Sequence, residues 1–174
     1  MKKVCMIAVT LLLIMAVAAQ EEVKEKKLAT LPSVDIRTLE GKVFNTKDIV
    51  NDGKPMIISF WTTTCKPCIA ELKAIADVYD DWVEETGVKL FAISVDDSRS
   101  SAKVAPFVNG QSWDYKVLLD ANQDFKRAMN IGELPFLCIL NGKGEIVWQH
   151  TSYATGSEEE VYKIIKDITT FHQK

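Results

Sequence analysis

Residues 56–68 read MIISFWTTTCKPC, and this stretch decides the fold. Its first six residues form an apolar run typical of a buried strand, and Cys65 and Cys68 follow, three positions apart, directly before a helical pattern. A thiol at the start of a helix faces unpaired backbone N–H groups and the positive end of the helix dipole, which favour thiolate over thiol. The pattern therefore predicts a dithiol that exchanges disulfides.

Other sites built on the same two cysteines fit the chain less well. A zinc site would need four ligands, but there is no second C-x-x-C, and His150 and His172 lie near the end of the chain. Covalent haem attachment requires histidine directly after the second cysteine, where Ile69 stands. A purely structural disulfide stays open as an alternative, although so short a loop gains little entropy on closure.

The start of the chain has the pattern of an export signal. Lys2 and Lys3 precede an apolar run over residues 7–17, and Ala16-Val17-Ala18 supplies small residues for cleavage. The run is shorter than the about 20 residues that a spanning helix needs. We therefore expect a cleaved signal peptide over residues 1–19, with a retained membrane anchor as the alternative. Cys5 would leave with the signal.

After the signal, the sequence indicates a charged linker and one domain. Residues 20–30 mix both charges with few apolar side chains, whereas residues 31–174 contain one domain's worth of sequence without a repeat. Loss of Lys2 and Lys3 lowers the net charge from −3 to −5. A mildly acidic domain lacks the basic surface that nucleic acid or an anionic membrane requires.

Strands and helices alternate within that domain. The predicted strands are 31–36 and 42–44, which form a hairpin around Glu40-Gly41, then 56–61, 89–94, 115–119 and a second hairpin of 136–140 with 146–150. The predicted helices are a long helix over 67–87, a segment over 98–108 that Pro106 kinks or breaks, a short helix over 122–129 and a final helix over 158–171. The buried stripe of the long helix is Ile69, Leu72, Ile75, Ala76, Tyr79 and Val83, and that of the final helix is Val161, Ile164, Ile165 and Ile168.

This order of elements resembles the thioredoxin fold, with Trp61 before C-x-P-C, a late Leu134-Pro135, a β-hairpin and a final helix. The resemblance covers essentially all of residues 31–174 and implies an α/β fold, a central mixed sheet flanked by helices with an added N-terminal β-hairpin. That hairpin, Gly53-Lys54-Pro55, the loop after Ser94 and Asp120 resemble more specifically the TlpA/ResA/DsbE group of extracytoplasmic thiol–disulfide oxidoreductases.

The resemblance implies roles for the site residues. Cys65 matches the exposed attacking thiol and Cys68 the buried resolving thiol, and together they form the redox disulfide. Pro135 matches a proline that follows a cis peptide bond and lies opposite the dithiol. The residues expected to line the substrate-binding surface are Trp61, Lys66, Pro67, Leu134 and Pro135.

Glu71 is the further candidate catalytic residue. It stands three positions after Cys68 on the same helical face, where a carboxylate can accept and return protons. In the group that the chain resembles, an acid at this position tunes the acidity of the cysteines. The alternative is an exposed helix charge near Lys66 or Lys73.

Some positions depart from thioredoxin itself. Ser59 stands where thioredoxins carry a buried acid, Thr64 where an aromatic residue precedes the first cysteine, and Lys66 places a cation inside the motif, which favours thiolate. Cys138 lies in an apolar predicted strand, where packing is favoured over a third redox thiol. Of the tryptophans, Trp61 alone is expected at the active-site surface.

Two other functional classes stay open. A thiol peroxidase of the AhpC/TSA type shares the fold, and Thr62 stands three before Cys65 as the T-x-x-C motif of peroxiredoxins requires, but their proline four positions earlier is Ile58 here. The other class is a non-catalytic binding module on a thioredoxin scaffold. The intact C-x-P-C and Pro135 argue against that class.

The sequence thus predicts a periplasmic or otherwise extracytoplasmic protein thiol–disulfide oxidoreductase, acting as a reductant through a mixed disulfide. We expect no metal, no organic cofactor and a monomer. The expected partners are disulfide-bearing clients, for which cytochrome apoproteins and misoxidised or stress-damaged proteins all fit, and a membrane electron donor of the DsbD/CcdA type. A membrane donor is expected because the oxidising side of a membrane holds no thioredoxin or glutathione pool.

Overall fold

A computed structural model describes residues 28–111 and 113–171. Its strands are Asp35–Thr38 (β1), Val43–Asn45 (β2), Met56–Trp61 (β3), Lys89–Ser94 (β4), Lys116–Leu119 (β5), Phe136–Leu140 (β6) and Ile146–Thr151 (β7). Its α-helices are Lys66–Ala76 (α1), Tyr79–Thr86 (α2), Val104–Asn109 (α3), Asp124–Ala128 (α4) and Glu158–Phe171 (α5). Short 3-10 turns lie at Thr46–Asp48 and Ser101–Lys103.

The seven strands form one mixed sheet in the order β2-β1-β5-β4-β3-β6-β7. Strands β3, β4 and β5 are parallel, whereas β6 and β7 at one side and β1 and β2 at the other pair antiparallel. Every residue of β3 is buried, which explains its unbroken apolar sequence, because helices and loops cover both faces of the central strands. The predicted thioredoxin-like fold with an N-terminal hairpin is confirmed.

The two faces of the sheet carry separate cores because side chains alternate along each strand. On the first face, Ile57 and Trp61 of β3 pack with residues of α1, α2, α3 and α5. On the second face, Ile58 and Phe60 pack with residues of β1 and α4. A row across β3, β6 and β7 places Ser59, Leu137 and His150 side by side, and Leu137 belongs to the first core. This row therefore lies on the face that α1, α2, α3 and α5 cover.

The single long helix predicted over 67–87 is wrong, because the chain forms two helices. Val78 between α1 and α2 has φ −124° and ψ 3°, outside the helical region. Asp77 and the β-branched Val78 are weak helix formers, so the helix is easily interrupted there. Gly87 ends α2 in the left-handed conformation at φ 66°, as its position predicts.

The break redirects α2 toward two contacts. The Tyr79 hydroxyl accepts a hydrogen bond from the Leu90 N–H at 2.9 Å. The Trp82 ring stacks on Tyr162 of α5 with centroids 5.3 Å apart. Val83, predicted as part of the buried stripe, is instead 39% exposed, because the turn between the helices rotates it away from the sheet.

Two other boundaries differ from the prediction. Pro106 is the third residue of α3 and does not break it, since a proline in the first turn removes no intrahelical hydrogen bond. The folded unit also begins before residue 31, because the Ala29 carbonyl accepts from the Ile146 N–H at 2.7 Å and Thr30 pairs with Glu145. The expected signal peptide over 1–19 lies outside the described residues. No helix in the described part of the chain combines the length and apolar character needed to cross a membrane.

Candidate active site

The dithiol lies at the start of α1. A loop of three residues, 62–64, joins β3 to Cys65, which directly precedes the first residue of the helix. Cys65 caps the helix: its carbonyl accepts from the Ile69 N–H at 3.0 Å, and its Sγ accepts from the Cys68 N–H at 3.3 Å. A disulfide joins Cys65 to Cys68, as predicted. Cys65 is half-buried, whereas Cys68 has no exposed surface. Only the first sulfur is therefore accessible from solvent.

Asp96 holds the loop that precedes the dithiol. This buried carboxylate follows β4 and accepts from the Thr63 N–H at 2.9 Å and from the Thr63 hydroxyl at 2.6 Å, while the Ser94 hydroxyl donates to it at 2.9 Å. The sequence pattern indicates a loop after Ser94 but predicts no role for Asp96. The parallel pairing of β3 and β4 brings their carboxyl ends together, which is the signal that connects Asp96 to Thr63.

The Leu134–Pro135 segment reaches the same end of the sheet. It directly precedes β6, whose first residue, Phe136, pairs with Phe60 near the end of β3. The Leu134–Pro135 peptide bond is cis, as expected. The Pro135 carbonyl accepts from the Ser152 N–H at 3.1 Å. This end of the sheet thus carries Pro135 as well as the dithiol, and Lys66 and Pro67 of the motif are exposed there.

Trp61 does not lie on the active-site surface, which corrects the sequence prediction. Its side chain is completely buried. As the last residue of β3 it points to the first core, where its ring contacts Trp113 at 5.2 Å and Phe107 at 5.6 Å between centroids. Strand alternation places it on the same face as Ile57, beneath the helices. Trp61 therefore lies beneath the site and presents no surface to a binding partner.

Glu71 is buried, so the alternative of an exposed helix charge is wrong. Only 1% of the residue is accessible, and its Oε1 lies 2.7 Å from His150 Nε2. Sequence reasoning considered His150 only as a zinc ligand and missed this contact. The available signal was the alternation of β7, in which Trp148 and His150 face the same side and Trp148 packs with the first core. Within the described ranges, no cluster of three or more His, Cys, Asp or Glu residues could hold a metal ion.

Cys138 occupies a packing position, as predicted. It lies in β6 in the core of the second sheet face, whereas Cys68 belongs to the core of the first. The residue is fully buried, and this burial raises the pKa of the Cys138 thiol to about 12. The thiol is therefore protonated at neutral pH and separated from the disulfide by the sheet.

Residues 27–149 match the model of the AhpC/TSA family. The chain is 30% identical over 138 residues to the thiol–disulfide oxidoreductase ResA of Bacillus anthracis, covering 79% of this chain and 76% of that protein. It is also 30% identical over 124 residues to the sporulation thiol–disulfide oxidoreductase A of Bacillus subtilis, covering 70% of this chain and 73% of that protein.

A solved structure agrees with these sequence relatives. The solution structure of a thioredoxin-like protein from Porphyromonas gingivalis superposes with a TM-score of 0.73. It is 48% identical in sequence, and the match covers 83% of this chain and 95% of that one.

Proposed function

The chain belongs to the AhpC/TSA family and is a thiol–disulfide oxidoreductase of the ResA type, and from this premise we propose that it reduces protein disulfides outside the cytoplasm. One observation carries the proposal: a half-buried Cys65 at the start of a helix is bonded to a fully buried Cys68, with the buried acid Glu71 one turn further on. This arrangement suits one thiol for attack and the other for resolution.

The proposed cycle transfers two electrons from the dithiol to a client. The Cys65 thiolate attacks one sulfur of the client disulfide, which forms a mixed disulfide and releases the other client sulfur as a thiolate. Cys68 then loses its proton and attacks Cys65 Sγ, closing the intramolecular disulfide and releasing the second client thiolate. The N-terminus of α1 stabilises the Cys65 thiolate.

Glu71 supports both the proton transfer and the direction of the reaction. It lies on the same face of α1 as Cys68, where its carboxylate can take the proton that Cys68 must lose. A neighbouring carboxylate also makes a thiolate at Cys68 costlier. Glu71 thus opposes the stabilisation of the reduced form that the start of α1 gives through the Cys65 thiolate. The less the reduced form of a dithiol is stabilised, the more readily it gives up its electrons, and DsbA is an oxidant because its reduced form is stabilised.

Client binding is proposed for the surface around Cys65. Lys66 and Pro67 are exposed beside the sulfur, and the half-buried Leu134 lies at the same end of the sheet. Pro135 itself is buried, so its proposed part is to fix the backbone beside Leu134 rather than to contact the client with its ring. Leu134 is partly buried against the core that Cys65 also touches, so it offers an apolar surface close to the disulfide. Trp61 is omitted from this surface because it is buried.

The proposed location follows from the export signal expected over residues 1–19. Outside the cytoplasm no glutathione or thioredoxin pool supplies electrons, so a membrane donor of the DsbD/CcdA type would reduce the Cys65–Cys68 disulfide after each turnover. The cycle uses only the two sulfurs and a proton acceptor, so we propose that a monomer without metal or organic cofactor performs it.

Insulin reduction with dithiothreitol as the electron source tests the roles of the two thiols. Cys65→Ser should abolish the reaction, whereas Cys68→Ser should still attack and then accumulate a mixed disulfide with an insulin chain, visible on a non-reducing gel. Cys138→Ala is the matched cysteine control and should retain activity. Preferential labelling of Cys68 by iodoacetamide at neutral pH in the reduced protein would reverse the two roles.

The midpoint potential of Cys65–Cys68 distinguishes a reductant from an oxidant. We expect a value near or below the about −270 mV of thioredoxin, and a value near the about −120 mV of DsbA would overturn the reductant role. Peroxide consumption at stoichiometric protein tests the peroxidase alternative. Turnover of peroxide faster than that of insulin would favour the peroxidase, even though Ile58 stands where peroxiredoxins have proline.

A further inference from the structure

The contact between Glu71 and His150 joins two distant parts of the chain. Glu71 Oε1 in α1 and His150 Nε2 in β7 are 2.7 Å apart, and their side chains are 2% and 16% exposed. Burial of a carboxylate is costly unless it has a partner, and the imidazole is that partner. The imidazole is also the more accessible member of the pair, so the contact leads from the buried acid toward solvent.

One carboxylate oxygen is held and the other is not. Oε2 of Glu71 is buried and has no hydrogen-bond partner among the described residues. Cys68, which is fully buried, lies one helical turn before Glu71 on the same face of α1. His150 lies in the sheet row on the face that this helix covers, two strands from Ser59. The accessible surface therefore increases from Cys68 to Glu71 to His150.

The other titratable groups around the pair come from the segment after β7 and from α5. The Tyr153 hydroxyl donates to Glu158 Oε2 at 3.3 Å. Burial, and then the charges of Glu158 and Glu71, raise the pKa of Tyr153, which keeps its proton. On α1, Lys66 and Lys73 are exposed. Among these groups, only an imidazole ordinarily gains and loses protons near neutral pH.

We infer that His150 is a positioning residue that holds Glu71 and carries the proton of the Cys68 thiol onward to solvent. This inference rests on the proposed function, because it concerns the resolving step of that cycle. It assigns a role to a residue outside the C-x-P-C motif and its helix.

The proposed step balances as follows. In the mixed disulfide between Cys65 and the client, the Cys68 thiol gives its proton to Oε2 of Glu71. The resulting thiolate attacks Cys65 Sγ, the bond from Cys65 to the client breaks, and the client sulfur leaves with the electron pair. Until then the imidazole donates its Nε2–H to Glu71 Oε1. Once the carboxyl group is protonated, the neutral imidazole changes tautomer, so that Nδ1 carries its proton and Nε2 is free to accept. A half-turn of the Glu71 carboxyl group then passes the proton to Nε2, and the resulting imidazolium releases its Nδ1 proton to solvent, which restores the Glu71 carboxylate and the Nε2–H.

The two thiols can be followed separately with dithionitrobenzoate, which releases one coloured thiolate at each step. Attack by Cys65 gives a first phase that depends on reagent concentration, and attack by Cys68 on the mixed disulfide gives a second phase that does not. The reduced full chain is compared with His150→Gln, Glu71→Gln and the double variant. Gln149→Ala, on the exposed face of the same strand, is the matched control.

His150→Gln keeps an amide N–H for Glu71 Oε1 but cannot carry a proton. It should slow the second phase about tenfold, below the 10²–10⁴-fold typical of a direct general base because His150 acts through Glu71. The first phase should not change. The pH dependence of the second phase should also change, because the side chain at position 150 no longer exchanges a proton. The double variant should be no slower than Glu71→Gln alone, since residues of one chain of transfer are not additive.

A second phase in His150→Gln indistinguishable from the parent's at every pH would overturn the inference, as would a double variant slowed by the product of the single effects. A purely structural pair would lower the melting temperature without changing the pH profile. A second experiment uses the parent protein alone and compares H2O with D2O. The second phase should be slower in D2O, whereas the first phase should be unchanged. Equal effects of D2O on the two phases would also overturn the inference. If the parent shows both phases but fails to reduce insulin, the proposed function fails instead.

Discussion

At the scale of single residues, burial separates side chains that the sequence presents as equivalent. Cys65, Cys68 and Cys138 are all described cysteines, yet only Cys65 has accessible surface. Cys65 and Cys68 occupy one helix start, where the backbone N–H groups favour thiolate. Cys138 lies among apolar side chains, and burial raises its pKa to about 12. Position in the fold, more than residue type, therefore assigns the chemistry.

Cys138→Ser is predicted to destabilise the protein without changing its activity. The hydroxyl would be buried where the thiol now packs, and an unsatisfied buried hydroxyl costs about 1–3 kcal/mol. Urea unfolding measures that loss, and Cys138→Ala should cost less because it buries no polar group. A loss of insulin reduction in both variants, with folded protein present, would mean that Cys138 takes part in the redox cycle.

The residues of the site were predictable where the signal is local. The dithiol and its helix start follow from spacing, and Glu71 follows from its position one turn after Cys68. The His150 contact was not predictable in the same way, because it joins residues 79 positions apart and depends on the placement of β7 beside α1. Trp61 was misplaced because its closeness to the motif in sequence suggested exposure, whereas strand alternation directs its ring into the core.

At the scale of elements, the ends of helices and strands depend on tertiary contacts, which intrinsic secondary-structure propensity does not take into account. The helical pattern continues across residues 67–87, and the break at Asp77-Val78 is decided by the gain from burying Tyr79 and Trp82. The strand β3 was easier to predict, because a six-residue apolar run that follows Gly53-Lys54-Pro55 is too short for a helix and has a turn signal before it. The hydrogen bond between Asp96 and Thr63 could not be predicted in this way, because it joins the loops after two strands and depends on those strands being neighbours in the sheet.

Asp120 allows a prediction about one element, since its side chain caps the start of α4. Its buried carboxylate accepts from the N–H groups of Phe125 at 3.2 Å and Lys126 at 2.9 Å. Burial nevertheless raises the pKa of Asp120. A carboxyl whose pKa is higher in the folded than in the unfolded state contributes stability below its folded pKa, and that contribution is lost as pH rises.

Asp120→Asn should therefore have a pH-dependent effect. Loss of one acceptor costs about 0.5–1.5 kcal/mol, but the amide does not titrate. The variant should therefore become more stable relative to the parent as the pH rises from about 4, near the ordinary aspartate pKa, to neutral pH. Urea unfolding at both pH values measures the difference. A relative stability that falls with rising pH would mean that the hydrogen bonds outweigh burial.

At the scale of the whole molecule, one sheet carries two cores, and the redox site belongs to one of them. The N-terminal hairpin joins the sheet through only two register pairs, Arg37 with Leu119 and Thr38 with Leu118. The central strands β3, β4 and β6 are paired along their whole length and are almost fully buried. The fold as a whole was predictable because this alternation of strands and helices has few compact solutions.

Native-state hydrogen exchange should separate the hairpin from the rest. Amides of β1 and β2 are expected to exchange through openings of lower free energy than amides of β3, β4 and β6, because fewer contacts hold the hairpin. Exchange at increasing low concentrations of denaturant measures these free energies. Equal values for the two groups would place the hairpin in the same cooperative unit as the central strands.

The position of Cys138 has a consequence for biosynthesis. Three cysteines in the described chain allow three single disulfides, but the folded sheet stands between Cys138 and the other two thiols. Once β3 and β6 have paired, only the Cys65–Cys68 bond can form. Mispaired chains must arise earlier, while the polypeptide is still open, so a chain that folds before it meets an oxidant matures without need of isomerisation.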